Sequence, residues 1–76
     1  MKKPKGHTLY WIYVYFVEGG YNFETTPRLK DAYRVLKEIT DGVSLGQLTA
    51  KEAFIFYGNE NGIFANSDPV VSWRRS

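Results

Sequence analysis

The sequence predicts a small α+β fold: an antiparallel sheet of two β-hairpins, with a candidate fifth strand at the edge and one main helix packed on one face, in the order β-β-α-β-β. Three observations point there. A run from Leu9 to Val17 is made of aromatic and β-branched residues, the composition of a strand. Leu29, Ala32, Tyr33, Leu36 and Ile39 recur at helical spacing. Strand-like runs bounded by turn residues lie on both sides of that helix.

The elements follow in order. Residues 1–7 carry Lys2, Lys3, Lys5, Pro4 and Gly6 without apolar periodicity and read as a basic tail. From Thr8 to Val17 the chain alternates: Tyr10, Ile12, Val14 and Phe16 fall on one face, and Leu9, Trp11, Tyr13, Tyr15 and Val17 on the other. Gly19-Gly20 reads as a two-residue hairpin turn. That turn sets Phe16 opposite Phe23 and Tyr15 opposite Glu24, so Phe23 joins the inner face and Glu24 the outer one. Thr26 and Pro27 suit an N-cap and first helical position, and Asp41-Gly42 a helix stop, which predicts a helix over 27–41.

Beyond the helix, Thr49-Ala50-Lys51-Glu52 matches a capping box and predicts a short helical turn; a polar loop with Val43, Leu45 and Leu48 as plugs is the competing reading. Ala53 to Tyr57 reads as a strand, Gly58 to Gly62 as a five-residue loop, and Ile63 to Asn66 as the returning strand, with Phe56 opposite Phe64. Ser67-Asp68-Pro69 breaks the chain, and Val70 to Trp73 is the candidate edge strand, with Pro69 at its start. The expected core is Ile12, Val14, Phe16, Phe23, Leu29, Leu36, Ile39, Phe54 and Phe56. One domain over residues 8–73, flanked by the tail and a basic end at 74–76, accounts for all 76 residues.

Composition excludes several function classes. There is no cysteine, which removes disulfide scaffolds, zinc–thiolate modules and cysteine nucleophiles, and fits a cytoplasmic protein. The longest apolar run falls short of the ~18–20 residues of a membrane span. The single histidine, His7, lies in the tail, away from any group that could orient it for acid–base work. The Asn59-Glu60-Asn61 and Asn66-Ser67-Asp68 stretches lack the spacing of a calcium loop and read as turns. No glycine pattern matches a phosphate-binding loop or a dinucleotide fingerprint. No enzyme, cofactor, metal or small-molecule substrate is therefore expected.

Charge is the feature that needs placing. The chain carries ten basic and eight acidic residues and has a pI of about 9.0. Five of the basic residues, Lys2, Lys3, Lys5, Arg74 and Arg75, lie outside 8–73, whereas all eight acids lie inside; the body holds five basic against eight acidic residues, net −3. On the helix, Arg28, Lys30, Arg34 and Lys37 form a basic side interleaved with Asp31, Glu38 and Asp41, with Arg34–Glu38 as an i,i+4 pair.

Trp11, Tyr13 and Tyr15 remain on the sheet face away from the helix, with Glu24 beside them. Three outward aromatics on one strand exceed what a solvated face carries. They are covered internally, by the 43–50 segment or the Trp73 strand, or by a protein partner or second copy, or they serve as a stacking platform for bases. These residues predict a non-catalytic protein-interaction module of inhibitor or regulator type, a class in which chains of this size are common. The alternative is a nucleic-acid-binding domain that uses Arg28, Lys30, Arg34 and Lys37 together with the basic ends. The hairpin–helix–hairpin order is shared by many small α+β proteins, and no residue motif singles one out.

Overall fold

The computed structural model describes residues 8–64 and 68–75. The tail reading, with Lys2, Lys3, Lys5 and His7, lies outside these residues, as do Ala65, Asn66, Ser67 and Ser76. The elements are β1 (Thr8–Phe16), β2 (Tyr21–Thr26), α1 (Leu29–Ser44), β3 (Ala50–Asn59), β4 (Gly62–Ile63) and β5 (Val71–Arg74). They form one five-stranded antiparallel sheet in the order β2-β1-β3, with β4 and β5 each pairing the outer edge of β3. The helix packs on one face, mainly across β1 and β3. The α+β class, the two hairpins and the edge strand predicted by the sequence are all present.

The buried core between helix and sheet is small and aliphatic. Ile12 and Val14 of β1, Ala50, Ala53 and Ile55 of β3, and Ala32 and Ile39 of α1 compose it. Phe16, Leu29 and Leu36, placed in the core by the sequence, are only partly buried against it, together with Tyr10, Val35, Val43, Val71 and Trp73. The alanines let the helix lie close to the sheet, so short side chains fill the gap.

The first hairpin differs from its predicted register. Tyr15 pairs with Tyr21, Tyr13 with Phe23 and Ile12 with Glu24. Gly19 donates its N–H to the Phe16 carbonyl at 3.0 Å and Phe16 donates to Gly20 at 3.2 Å, which closes a three-residue loop, Val17-Glu18-Gly19. Gly19 takes the positive φ of 104° that such a loop requires. The shift is odd, so it moves β2 side chains to the opposite faces. Phe23 leaves the expected core and is 50% exposed, while Glu24 turns to the helix side. Cross-strand aromatic pairing favours this register, because it sets Tyr21 and Phe23 against Tyr15 and Tyr13. Phe54 and Phe56 also leave the expected core: they pair with Tyr13 and Trp11 on the face away from the helix, and Ile55 and Ala53 take the inner positions.

The helix starts and stops later than predicted. Thr26 does accept the Arg28 N–H on its hydroxyl at 3.3 Å, but Arg28 itself is extended and serves as the N-cap. At the other end Gly42 is inside the helix and buried. Its missing side chain is the seat of Leu48, whose Cδ1 would lie 2.6 Å from an added Cβ. The stop falls to Gly46 (φ 74°): Gly46 donates to the Val43 carbonyl at 3.1 Å and Gln47 to the Gly42 carbonyl at 2.8 Å, a Schellman ending.

The capping box at Thr49 is not used. Thr49 donates its hydroxyl to Glu18 Oε1 at 2.5 Å and its carbonyl accepts the Val17 N–H at 2.8 Å, so the segment is drawn into the sheet and β3 begins at Ala50 in place of a helical turn. The second hairpin is tighter than the five-residue loop predicted. Asn59 pairs with Gly62 and Gly58 with Ile63, and Phe64 donates to the Tyr57 carbonyl at 3.1 Å, one residue off the expected register. The Asn59 side-chain oxygen accepts the Asn61 N–H at 2.8 Å and tightens this turn. Arg74, assigned to a basic end, belongs to β5, and Arg75 donates its N–H to the Lys51 carbonyl at 2.8 Å.

Candidate functional site: an open aromatic sheet face

The registers assemble the face opposite the helix row by row. One row reads Tyr21, Tyr15, Glu52, Arg74 from β2 to β5; the next reads Phe23, Tyr13, Phe54, Ser72; the third reads Thr25, Trp11, Phe56. Seven aromatic side chains therefore share one surface. Trp11, Tyr13 and Tyr15 are brought together there as the sequence predicts, whereas Glu24 stands on the other side of the sheet. Tyr21, Phe23, Phe54 and Phe56 are the members that sequence reasoning missed. The signal for Phe54 and Phe56 was present, since the small Ala53 and β-branched Ile55 alternate with them along one strand.

Nothing among the described residues covers this face. The 43–50 segment lies on the helix side, where Leu48 sits against Gly42, and Trp73 packs against the helix-side core. Tyr21 is 57% exposed and Phe23 50%, while the other five rings are half-buried by one another.

Ring geometry is ordered. Phe23 lies near-parallel to both Trp11 and Tyr13, with centroids 5.4 Å from each and planes within 25°; Trp11 and Tyr13 are themselves 6.4 Å apart, so the three rings form a triangle. Tyr13 stacks on Tyr15 at 6.3 Å and on Tyr21 at 5.9 Å. The β3 rings meet this array edge-on: Phe56 lies at 82° to Tyr13 and Phe54 at 72° to Tyr15. Trp11 also donates its indole N–H to the Asn59 carbonyl at 3.2 Å, which fixes the ring and satisfies its one polar atom. Desolvation, and then the neighbouring Tyr21 and Tyr15 hydroxyls, raise the Tyr13 phenol above the usual tyrosine value.

The charges lie at one corner of the face: Glu52 and Arg74 pair with each other at 3.0 Å, and Lys51 and Arg75 line the same shallow depression. The basic helix side is likewise engaged: Arg34 pairs with Asp31 at 2.6 Å and Lys37 with Asp41 at 3.1 Å. The predicted Arg34–Glu38 pair is replaced by the former. Glu38 instead lines an open groove of about 340 Å³ between β2 and α1, floored by Ile12, Val14, Val35 and Ile39 and rimmed by Asn22 and Glu24. Arg28 and Lys30 are exposed at the start of the helix. Among the described residues no three His, Asp or Glu side chains group as metal ligands, and no helix is long and apolar enough to cross a membrane.

No protein family model matches the chain, and no curated protein or solved structure is significantly similar to it, so its surface chemistry alone guides the functional reading.

Proposed function

We propose that this chain is a non-catalytic protein-interaction domain, of inhibitor or regulator type, that binds through its aromatic sheet face. The observation that carries the reading is the uncovered surface of seven rings. A contiguous apolar patch of that kind is rare on a protein that works alone, and Trp and Tyr are favoured interface anchors. Its cysteine-free composition suits a cytoplasmic setting.

The nucleic-acid alternative draws less support. A base-stacking platform presents ring faces beside a cationic groove. Here the Arg74 guanidinium on this surface is paired with Glu52. Of the basic helix residues, Arg34 and Lys37 are held by acids on the same helix.

The test is site-specific photo-cross-linking in native host cells, with the cross-linking residue at Phe23 or, as control, at Lys30. Protein adducts are expected from Phe23 only, and excess wild-type chain should compete them away whereas a folded Phe23→Lys chain should not. Identical adducts from both positions, or adducts that nuclease digestion removes, would overturn the reading.

A further inference from the structure

We infer that the occupant of the aromatic face is a second copy of this chain, packed face to face about a twofold axis that runs along the strands between β1 and β3. The inference rests on the reading of this face as a protein interface and names the partner.

Three features select a second copy. The ring area itself is uncharged, and the charged corner beside it, where Lys51, Glu52, Arg74 and Arg75 line one shallow depression, meets the Tyr15 and Tyr21 rings of the second copy under the twofold axis and not its own like charges. Its middle row is complementary in side-chain size: it begins with the large, half-exposed Phe23 on β2 and ends with the small Ser72 on β5. A twofold axis along the strands reverses each row. It lays Phe23 over Ser72 of the second copy, Tyr13 over Phe54, and Tyr21 over Arg74, where a guanidinium against a ring edge or face is a favourable contact. An axis across the strands would set Phe23 on Phe23 and leave the small Ser72 facing Ser72. Face-to-face packing of two sheets at about 10 Å and a modest angle is the usual sandwich arrangement, and an isologous contact of this kind closes at two copies.

The available area fits a reversible dimer. With rings of about 150–250 Å² each and the exposures of 57% at Tyr21 and 50% at Phe23, the face offers on the order of 500 Å² per copy. The pair would bury about 1,000 Å², the size class of weak, transient interfaces. The dimer is a four-layer α-β-β-α sandwich whose two helices face solvent, and it supplies the second face with the cover that the described residues do not give it.

The experiment uses the purified full chain. Sedimentation over a concentration series should show monomer–dimer exchange, and Phe23→Lys should raise the dissociation constant at least tenfold while the far-ultraviolet circular dichroism is unchanged. The chain has no cysteine, so a short bis-maleimide reports geometry directly. It should join Phe23→Cys to Ser72→Cys chains in a mixture and join neither variant to itself. Within one chain these positions lie on strands separated by β1 and β3, so an internal link cannot form. Monomer mass up to about millimolar concentration overturns the second copy as partner. Cross-linking of Phe23→Cys to itself overturns the axis. Either failure leaves the interface reading to be decided separately by cross-links from Phe23 to other proteins.

Discussion

The helix-covered face of the sheet presents Ile12, Val14, Ala53 and Ile55, all buried, while the open face of the same strands presents Trp11, Tyr13, Phe54 and Phe56. The bulk is on the outside. A close-packed helix leaves room only for short aliphatic groups, and alanines at 32, 50 and 53 are fully enclosed where a larger residue would push the helix away. The large rings lie where no second layer limits them and support one another laterally. Stability and interaction are therefore divided between two sides of β1 and β3. A substitution on the inner side should unfold the domain, whereas one on the outer side should change what it binds.

The sharpest test of that division is Ile55→Ala, which removes a fully enclosed side chain at the centre of the inner face. A loss of about 2–5 kcal/mol is expected, lowering the thermal midpoint by more than about 10 °C in a domain of this size. Ile12→Ala should behave alike. Denaturant titration measures both. A loss under about 1 kcal/mol at Ile55 would mean that the inner face is not where stability resides.

Next comes the junction of the two hairpins. Gly58 is buried in β3, and a side chain there would run into the Gly62 carbonyl and lie 2.7 Å from the Ile63 Cα, both backbone atoms that cannot rotate aside. Gly58→Ala should cost about 1–3 kcal/mol and detach β4, visible as faster amide exchange at Phe64 with β1 and β2 unaffected. Uniformly faster exchange would show that the sheet does not divide as described.

On the open face the expected effects are smaller. Phe23→Ala removes stacking against Trp11 and Tyr13 from a ring already half in solvent, and should cost monomer stability no more than about 1 kcal/mol. A cost comparable to that of Ile55→Ala, measured by denaturation at low protein concentration, would erase the distinction between the faces.

The two faces of β1 were legible in the sequence because ten residues of strict alternation leave little freedom in which side chains share a side. The faces of β2 were not. Gly19-Gly20 permits either a two-residue turn or a three-residue loop, and an odd change in register inverts Phe23 and Glu24 together. Phe54 and Phe56 were misplaced by weighing size over context: large apolar groups were assigned to a core that accepts only Ala50, Ala53 and Ile55 from that strand. The helix stop moved because Gly42 serves packing, as the seat of Leu48, and the backbone role passed to Gly46. In each case a local signal was real and a tertiary contact reassigned it.

The smallest expected effect sits at the rim where the two faces meet. The Glu18 carboxylate, in the β1–β2 loop, accepts the Thr49 hydroxyl ahead of β3, and this hydrogen bond holds its pKa below the usual carboxylate value, helped by its own backbone N–H. A group with a depressed folded pKa contributes stability that is present above its unfolded pKa and lost as pH falls through the folded one. The wild-type chain should therefore lose a small increment of stability on acidification below the ordinary glutamate range, and Thr49→Val should lack that increment at neutral pH and so flatten that part of the profile. Because Glu18 is fully exposed, solvent screens the bond and the difference should be detectable only by comparing full pH profiles of the two proteins. A Thr49→Val profile parallel to wild type would detach the loop from β3 in energetic terms, leaving the Val17–Thr49 backbone hydrogen bond as the tie that holds the first hairpin's register and, through it, the side on which Phe23 stands.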